Sequence, residues 1–134
     1  MQELSYKTMK TLTIKDFIGK DVATNYKDLK EIRILNGITR IPVDSFKFHA
    51  AVSIVTLPDT IKYIYSGCFS YCRELETVNL PDSLLYIGSF AFAGCNKLSS
   101  IIIPHNVNYI GGGAFCYCRI LISVIILGSV LPLF

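Results

Sequence analysis

Acidic residues run out early in this sequence. All 10 Asp and Glu of the 134-residue chain lie at or before Asp82, and from Leu84 to Phe134 the only charged residues are Lys97 and Arg119. A half so poor in charge keeps badly in water by itself, which predicts a surface that something covers. A basic stripe is missing too. The 13 Lys and Arg leave a net charge of only +3, with no cluster among them, so nucleic acid is not an expected partner. Nor is there an apolar run of the ~20 residues that span a bilayer. The nearest to one, ILISVIILGSVLPLF at residues 120–134, is shorter and contains Gly128 and Pro132, so no membrane span is expected. The opening MQELSYKTMKTLTIKD alternates charged and apolar residues and does not read as a secretory signal. The expected setting is therefore cytoplasmic or nuclear, where the 5 cysteines are thiols.

Catalytic equipment is equally sparse. The 2 histidines, His49 and His105, stand in no Ser-His-Asp or Cys-His arrangement, and no glycine-rich phosphate cradle follows a strand. Gly111-Gly112-Gly113 reads as a bend. Neither an enzyme nor a cofactor or metal is expected.

What is present is a repeat. Written in rows of 23, the chain aligns residues 15–37, 38–60, 61–83, 84–106 and 107–129, with residues 1–14 as an N-terminal cap segment and residues 130–134 as an apolar tail. The fourth place of each row reads Ile18, Ile41, Ile64, Ile87, Ile110, and the ninth reads Ala23, Phe46, Phe69, Phe92, Phe115. The fifteenth place holds Leu29, Val52, Leu75, Leu98, Leu121, the eighteenth Ile32, Val55, Val78, Ile101, Val124, and the twentieth Ile34, Leu57, Leu80, Ile103, Ile126. One row cannot bury its own apolar side, so the rows must stack as coils of a solenoid around a rod-like core. Places 16–20 alternate out and in and are rich in β-branched residues, which predicts a short strand in each coil and a parallel sheet along one face. Pro58, Pro81 and Pro104 end those strands. Gly88 and Gly111, at place five, mark a later bend.

These columns resemble the BspA-like leucine-rich repeat family. The pattern Leu-x2-Ile-x-Leu-Pro-x-Ser-Leu-x2-Ile-Gly-x2-Ala-Phe-x2-Cys is carried almost entire by Leu98, Ile101, Ile103, Pro104, Val107, Ile110, Gly111, Ala114, Phe115 and Cys118. The resemblance covers about residues 15–129 and is weakest in the first row, which has Ala23 for Phe and Tyr26 for Cys. It implies a right-handed leucine-rich-repeat horseshoe, with a parallel β-sheet on one face and irregular or short helical segments on the other, used to bind other proteins.

Cys72, Cys95 and Cys118 share place twelve and form a structural sulfur ladder, preceded by His49 and Tyr26; Cys68, at place eight, reads as a core filler. Neighbouring ladder thiols could alternatively bridge, although their side chains run parallel. Cys116 stands in a mostly polar column, predicted to face outward, and is the candidate for an intermolecular disulfide.

The outward strand places are 17 and 19. Their early members, Glu31, Arg33, Ile54, Thr56, Thr77 and Asn79, form the expected partner-binding sheet face, and the face turns apolar towards the C-terminus. A repeat array needs a polar terminal cap. Here Ile102, Ile122, Ile125, Val130, Leu131, Leu133 and Phe134 give an apolar one, which predicts self-association as a homodimer or a dimer of dimers. The alternative is a tail that folds back as its own cap. The functional expectation is an intracellular protein-interaction module, a scaffold or regulatory subunit. A protein phosphatase is one example of such a partner, although Ile14-Lys15-Asp16-Phe17 lacks the spacing of a phosphatase docking motif. The resemblance itself implies the alternative, a cell-surface adhesin that binds host matrix proteins.

Overall fold

The computed structural model describes residues 11–14 and 28–129. Its strands, in chain order, are β1 (Thr11–Ile14), β2 (Glu31–Ile34), β3 (Arg40–Ile41), β4 (Ile54–Thr56), β5 (Tyr63–Ile64), β6 (Thr77–Val78), β7 (Tyr86–Ile87), β8 (Ser100–Ile103), β9 (Tyr109–Ile110) and β10 (Ser123–Ile126). Every pairing is parallel, and from β2 onward partners lie one 23-residue row apart, as with Ile54 opposite Thr77 and Tyr63 opposite Tyr86. One ladder runs β1-β2-β4-β6, is interrupted, and resumes as β8-β10, while a second runs β3-β5-β7-β9. The chain is a β-solenoid, and strands β3 to β10 belong to its four coils, 38–60, 61–83, 84–106 and 107–129. The first-row residues Ile18, Ala23 and Tyr26, and the tail residues Val130, Leu131, Leu133 and Phe134, lie outside the described residues.

The stacked columns make the core. Ile41, Phe46, Val52, Ile64, Phe69, Leu75, Ile87, Phe92 and Leu98 are all fully buried. The phenylalanines lie on one another as near-parallel rings 5.4–5.6 Å apart between centroids, an offset stack that aromatic quadrupoles favour. Where a proline ends the strand, the turn after it ties back to the coil before. Ser83 Oγ donates to the Ile61 carbonyl at 2.6 Å, and Thr60 Oγ1 to that of Ile38 at 2.7 Å.

At the end of the expected cap segment, Thr11–Ile14 forms the first strand of the sheet, with Leu12 and Ile14 buried. Thr11 pairs with Glu31, so the offset here is 20 residues (31 − 11) in place of 23. The expected short helical segments opposite the sheet are absent among the described residues. The second ladder and a corner of linked turns stand there instead.

The backbone of that corner explains why. Places seven and eleven have positive φ in all four coils: Asp44 (58°), Gly67 (68°), Phe90 (57°) and Gly113 (67°) at the first, Phe48 (66°), Tyr71 (59°), Gly94 (69°) and Tyr117 (58°) at the second. Two left-handed residues four apart leave no room for a helical turn. They serve instead to aim amides along the stack. The N–H groups at places seven, nine and eleven donate to carbonyls at places six, eight and ten of the next coil, as in Asp44 to Ser66 (3.0 Å), Phe46 to Cys68 (2.8 Å) and Phe48 to Ser70 (2.8 Å). The intervening amides close turns within their own coil, as in Ser45 to Pro42 and Lys47 to Asp44. The corner is thus a third inter-coil ladder, made from turns rather than strands.

The bend at place five is the tightest approach between coils. A Cβ added at Gly88 would lie 2.4 Å from the Ser66 backbone nitrogen, and one at Gly111 would lie 2.3 Å from that of Ser89. Backbone cannot yield as a side chain does, so Gly88→Ala should destabilise the chain by about 1–3 kcal/mol. A urea titration of the variant against the parent checks this.

Candidate functional site

Three surfaces offer themselves: the outer sheet face with its apolar end, the thiol column, and the corner.

On the sheet face, alternation turns Arg33, Ile54, Thr56, Thr77, Asn79, Ile102 and Ile125 outward. At its N-terminal end Arg33 Nε donates to Glu31 at 2.7 Å, and Thr11 Oγ1 adds a bond of 3.2 Å to the same carboxylate. The Arg33 hydrogen bond lowers the Glu31 pKa below the ordinary carboxylate value. At the other end Ile122 is 90% exposed, beside half-exposed Ile102, Ile120, Ile125 and Leu127. Where polar gives way to apolar, the ladder breaks between β6 and β8. A groove of about 240 Å³ opens there, lined by Thr77, Asn79, Leu80, Ser100, Ile102 and Leu127 among others. The sequence gives no warning of the break, since the columns run through it unchanged.

The thiols do more than fill space. Cys72, Cys95 and Cys118 donate S–H to the carbonyls of Phe46, Phe69 and Phe92 in the coil before, at 3.3, 3.3 and 3.1 Å. Cys68 likewise points at the Pro42 and Ile41 carbonyls, at 3.1 and 3.2 Å. Each thiol is a rung between coils. His49 heads the column with Nδ1 3.2 Å from the carbonyls of both Phe46 and Lys47, so that nitrogen carries the hydrogen. Burial pushes the Cys72 pKa up to about 12 and moves Cys68 in the same direction. Cys116, expected to face outward, is only half-exposed. Its column turns inward at Ser70, whose hydroxyl donates to the Phe90 carbonyl at 3.0 Å, and at Ala93.

The corner was missed altogether. Phe48 (65%), Phe90 (52%) and Tyr117 (72%) project into solvent from left-handed positions, and Tyr71 stacks on Phe48 at 5.4 Å. The alternation of Gly and aromatic residues at places seven and eleven was the signal that could have found it. A second aromatic row, Tyr63, Tyr86 and Tyr109, lines the outer side of the second ladder, with Tyr86 and Tyr109 stacked at 4.6 Å.

The thiol column sets an alkaline limit. Unfolded cysteine ionises near ~8.5, whereas folded Cys72 holds its proton until about 12. Above ~8.5 the unfolded chain has therefore lost a proton that the native state keeps, and stability falls as pH rises through that window. Denaturant midpoints at pH 7.5 and 10 should show a larger loss for the parent than for Cys72→Ala. In the native state at neutral pH, a thiol reagent should modify Cys116 well before Cys68, Cys72 or Cys95.

The solenoid has clear relatives. A leucine-rich repeat protein from Bacteroides ovatus is 28% identical over 86% of this chain, with a TM-score of 0.74. A leucine-rich repeat protein of T. pallidum is 28% identical over 85%, with a TM-score of 0.73. A leucine-rich cell surface protein from Faecalibacterium prausnitzii, 22% identical over 90% with a TM-score of 0.73, shares the fold. The chain spans 33%, 50% and 33% of these three proteins. No curated protein matches it. The model of the BspA type leucine-rich repeat region matches residues 16–132 in 6 copies, one more than the five rows read from the sequence. A match of that extent takes in nearly the whole repeat, and the chain belongs to the BspA-type leucine-rich repeat family.

Proposed function

We propose that this chain is a non-enzymatic protein-interaction module that self-associates through its apolar terminal coil and meets a second protein on the polar part of its sheet. The leucine-rich repeat fold supports the first half of that statement, since such repeats are binding scaffolds. The observation that carries self-association is the exposure of Ile122 at 90%, among Ile102, Ile120, Ile125 and Leu127. These residues flank β10, which among the described residues pairs on one side only. A second copy can cover a patch of this kind about a two-fold axis, giving a homodimer or a dimer of dimers. The partner would then lie along Glu31, Arg33, Ile54, Thr56, Thr77 and Asn79, with the groove at the β6–β8 break beside it.

The setting proposed is intracellular, as a scaffold or regulatory subunit, where a reducing environment keeps the cysteines as thiols. No residue singles out a protein phosphatase among such partners. A second reading, a cell-surface adhesin, is favoured by the name of the Faecalibacterium protein. Protease shaving of intact cells decides between the two: loss of the chain from live cells selects the adhesin.

Self-association is read directly by light scattering in reductant. The full chain should have the mass of a dimer or tetramer, and Ile122→Asp with Ile125→Lys should be a folded monomer. A monomeric parent would mean that the tail caps its own coil.

A further inference from the structure

The corner of the coils 61–83, 84–106 and 107–129 holds a slot built from two columns. Place eleven reads Tyr71, Gly94, Tyr117, and place thirteen reads Arg73, Asn96, Arg119. These six residues line a cavity of about 370 Å³. The middle coil supplies no side chain and a short amide, so the outer coils stand as walls roughly two strand spacings, about 9.5 Å, apart. The floor is aromatic, because the Tyr71 ring leans over Gly94 so closely that a Cβ there would lie 2.5 Å from its Cδ1. Tyr117 stands 72% exposed opposite it.

The charge in the slot is uncompensated. Its lining includes two arginines and no carboxylate. Among the described residues the ion pair is Arg33–Glu31, on another face, so neither Arg73 nor Arg119 is held by an acid. Lys97 follows Asn96 and adds to the positive field, and Glu74 beside Arg73 only partly offsets it. The Tyr71 N–H donates to the Ala93 carbonyl at 2.6 Å and the Gly94 N–H to that of Cys116 at 2.8 Å. All six lining residues lie in turns, so a peptide finds no strand edge here to extend. Single-stranded nucleic acid needs a basic groove tracking several nucleotides, and beyond the slot place thirteen offers Ala50.

We propose that this slot binds an anionic oligosaccharide of uronic acid units. A pyranose carries its apolar C–H face on one side, which suits a tyrosine ring, and its hydroxyls at the rim, within reach of the Asn96 amide and the phenols. Its planar carboxylate matches the guanidinium fork, which binds it through two parallel hydrogen bonds where an ammonium would act only as a point charge.

The test uses the full chain and an oligogalacturonate hexamer in a chelator, titrated by calorimetry beside neutral dextran, a dextran sulfate oligosaccharide (sulfate in place of carboxylate) and a single-stranded oligonucleotide. The expected result is binding of the oligogalacturonate alone, weakened about tenfold or more by Arg73→Lys with Arg119→Lys, which keep the charge and lose the fork. Tyr117→Gly should weaken it as much without lowering the melting temperature, since Gly94 already occupies the same place in the neighbouring coil. No binding by the parent overturns the proposal. So does equal binding of dextran sulfate or the oligonucleotide, or undiminished affinity in the lysine variant, because each reduces the slot to a patch of charge.

Discussion

Everything in this molecule hangs on each residue having to accept its own copy one coil away, at the spacing of neighbouring strands. Inside, the rule produces uniform columns: isoleucine on isoleucine at place four and phenylalanine on phenylalanine at place nine. A phenylalanine stack at 5.4–5.6 Å tolerates little variation in size, since every ring is wall to two others. The same rule acts on the backbone. Three ladders at different points of the circumference bind one coil to the next, and the corner ladder needs left-handed residues to direct its amides. The thiols of place twelve add a fourth line of contact, each reaching the carbonyl of a phenylalanine in the coil before.

That constraint decides what could be read from the sequence. Columns reveal themselves wherever the period holds, which is why the core places, the proline-ended strands and the sheet direction were all legible. The failures share a cause. Leu12 and Ile14 pair at an offset of 20 residues and so fall out of any 23-residue alignment, although chemically they are ordinary core positions. The helical expectation came from the resemblance, whereas the positive φ at places seven and eleven is written in residues as different as Asp44, Phe48 and Gly94. A backbone conformation shared by such unlike side chains leaves no uniform column, only the interchange of glycine and aromatic residues to point to it. The thiols were recognised as a column but not as donors, because S–H to a carbonyl across coils depends on geometry that spacing alone does not supply.

The candidate surfaces follow the opposite logic. Where the stack makes no demand, neighbouring coils differ, and the outer sheet face passes from the Glu31–Arg33 pair to bare isoleucines within six strands of one ladder direction. The break between β6 and β8 lies at that transition. A continuous ladder would have fixed the two halves of the face together. The gap opens a groove between the two halves, so the polar and apolar parts of the face present themselves as separate surfaces.

The corner poses a sharper question, because there the stack imposes a cost on the residues chosen. A non-glycine side chain in a left-handed conformation is disfavoured by about 1–2 kcal/mol, and glycine at Gly67, Gly94 and Gly113 shows that the fold accepts the cheaper residue at both places. Some of the aromatic exceptions recover part of that cost. Phe48 and Tyr71 stack on each other, and Phe90 leans over Gly113 with its Cε1 2.6 Å from where a Cβ would be. Tyr117 recovers least: it is 72% exposed and, among the described residues, has no stacking partner. A strained residue that returns little to the folded chain is best explained by what it does for something outside it. Tyr117 lines the slot together with Arg73 and Arg119, and that placement gives the strain a purpose the stack itself cannot supply.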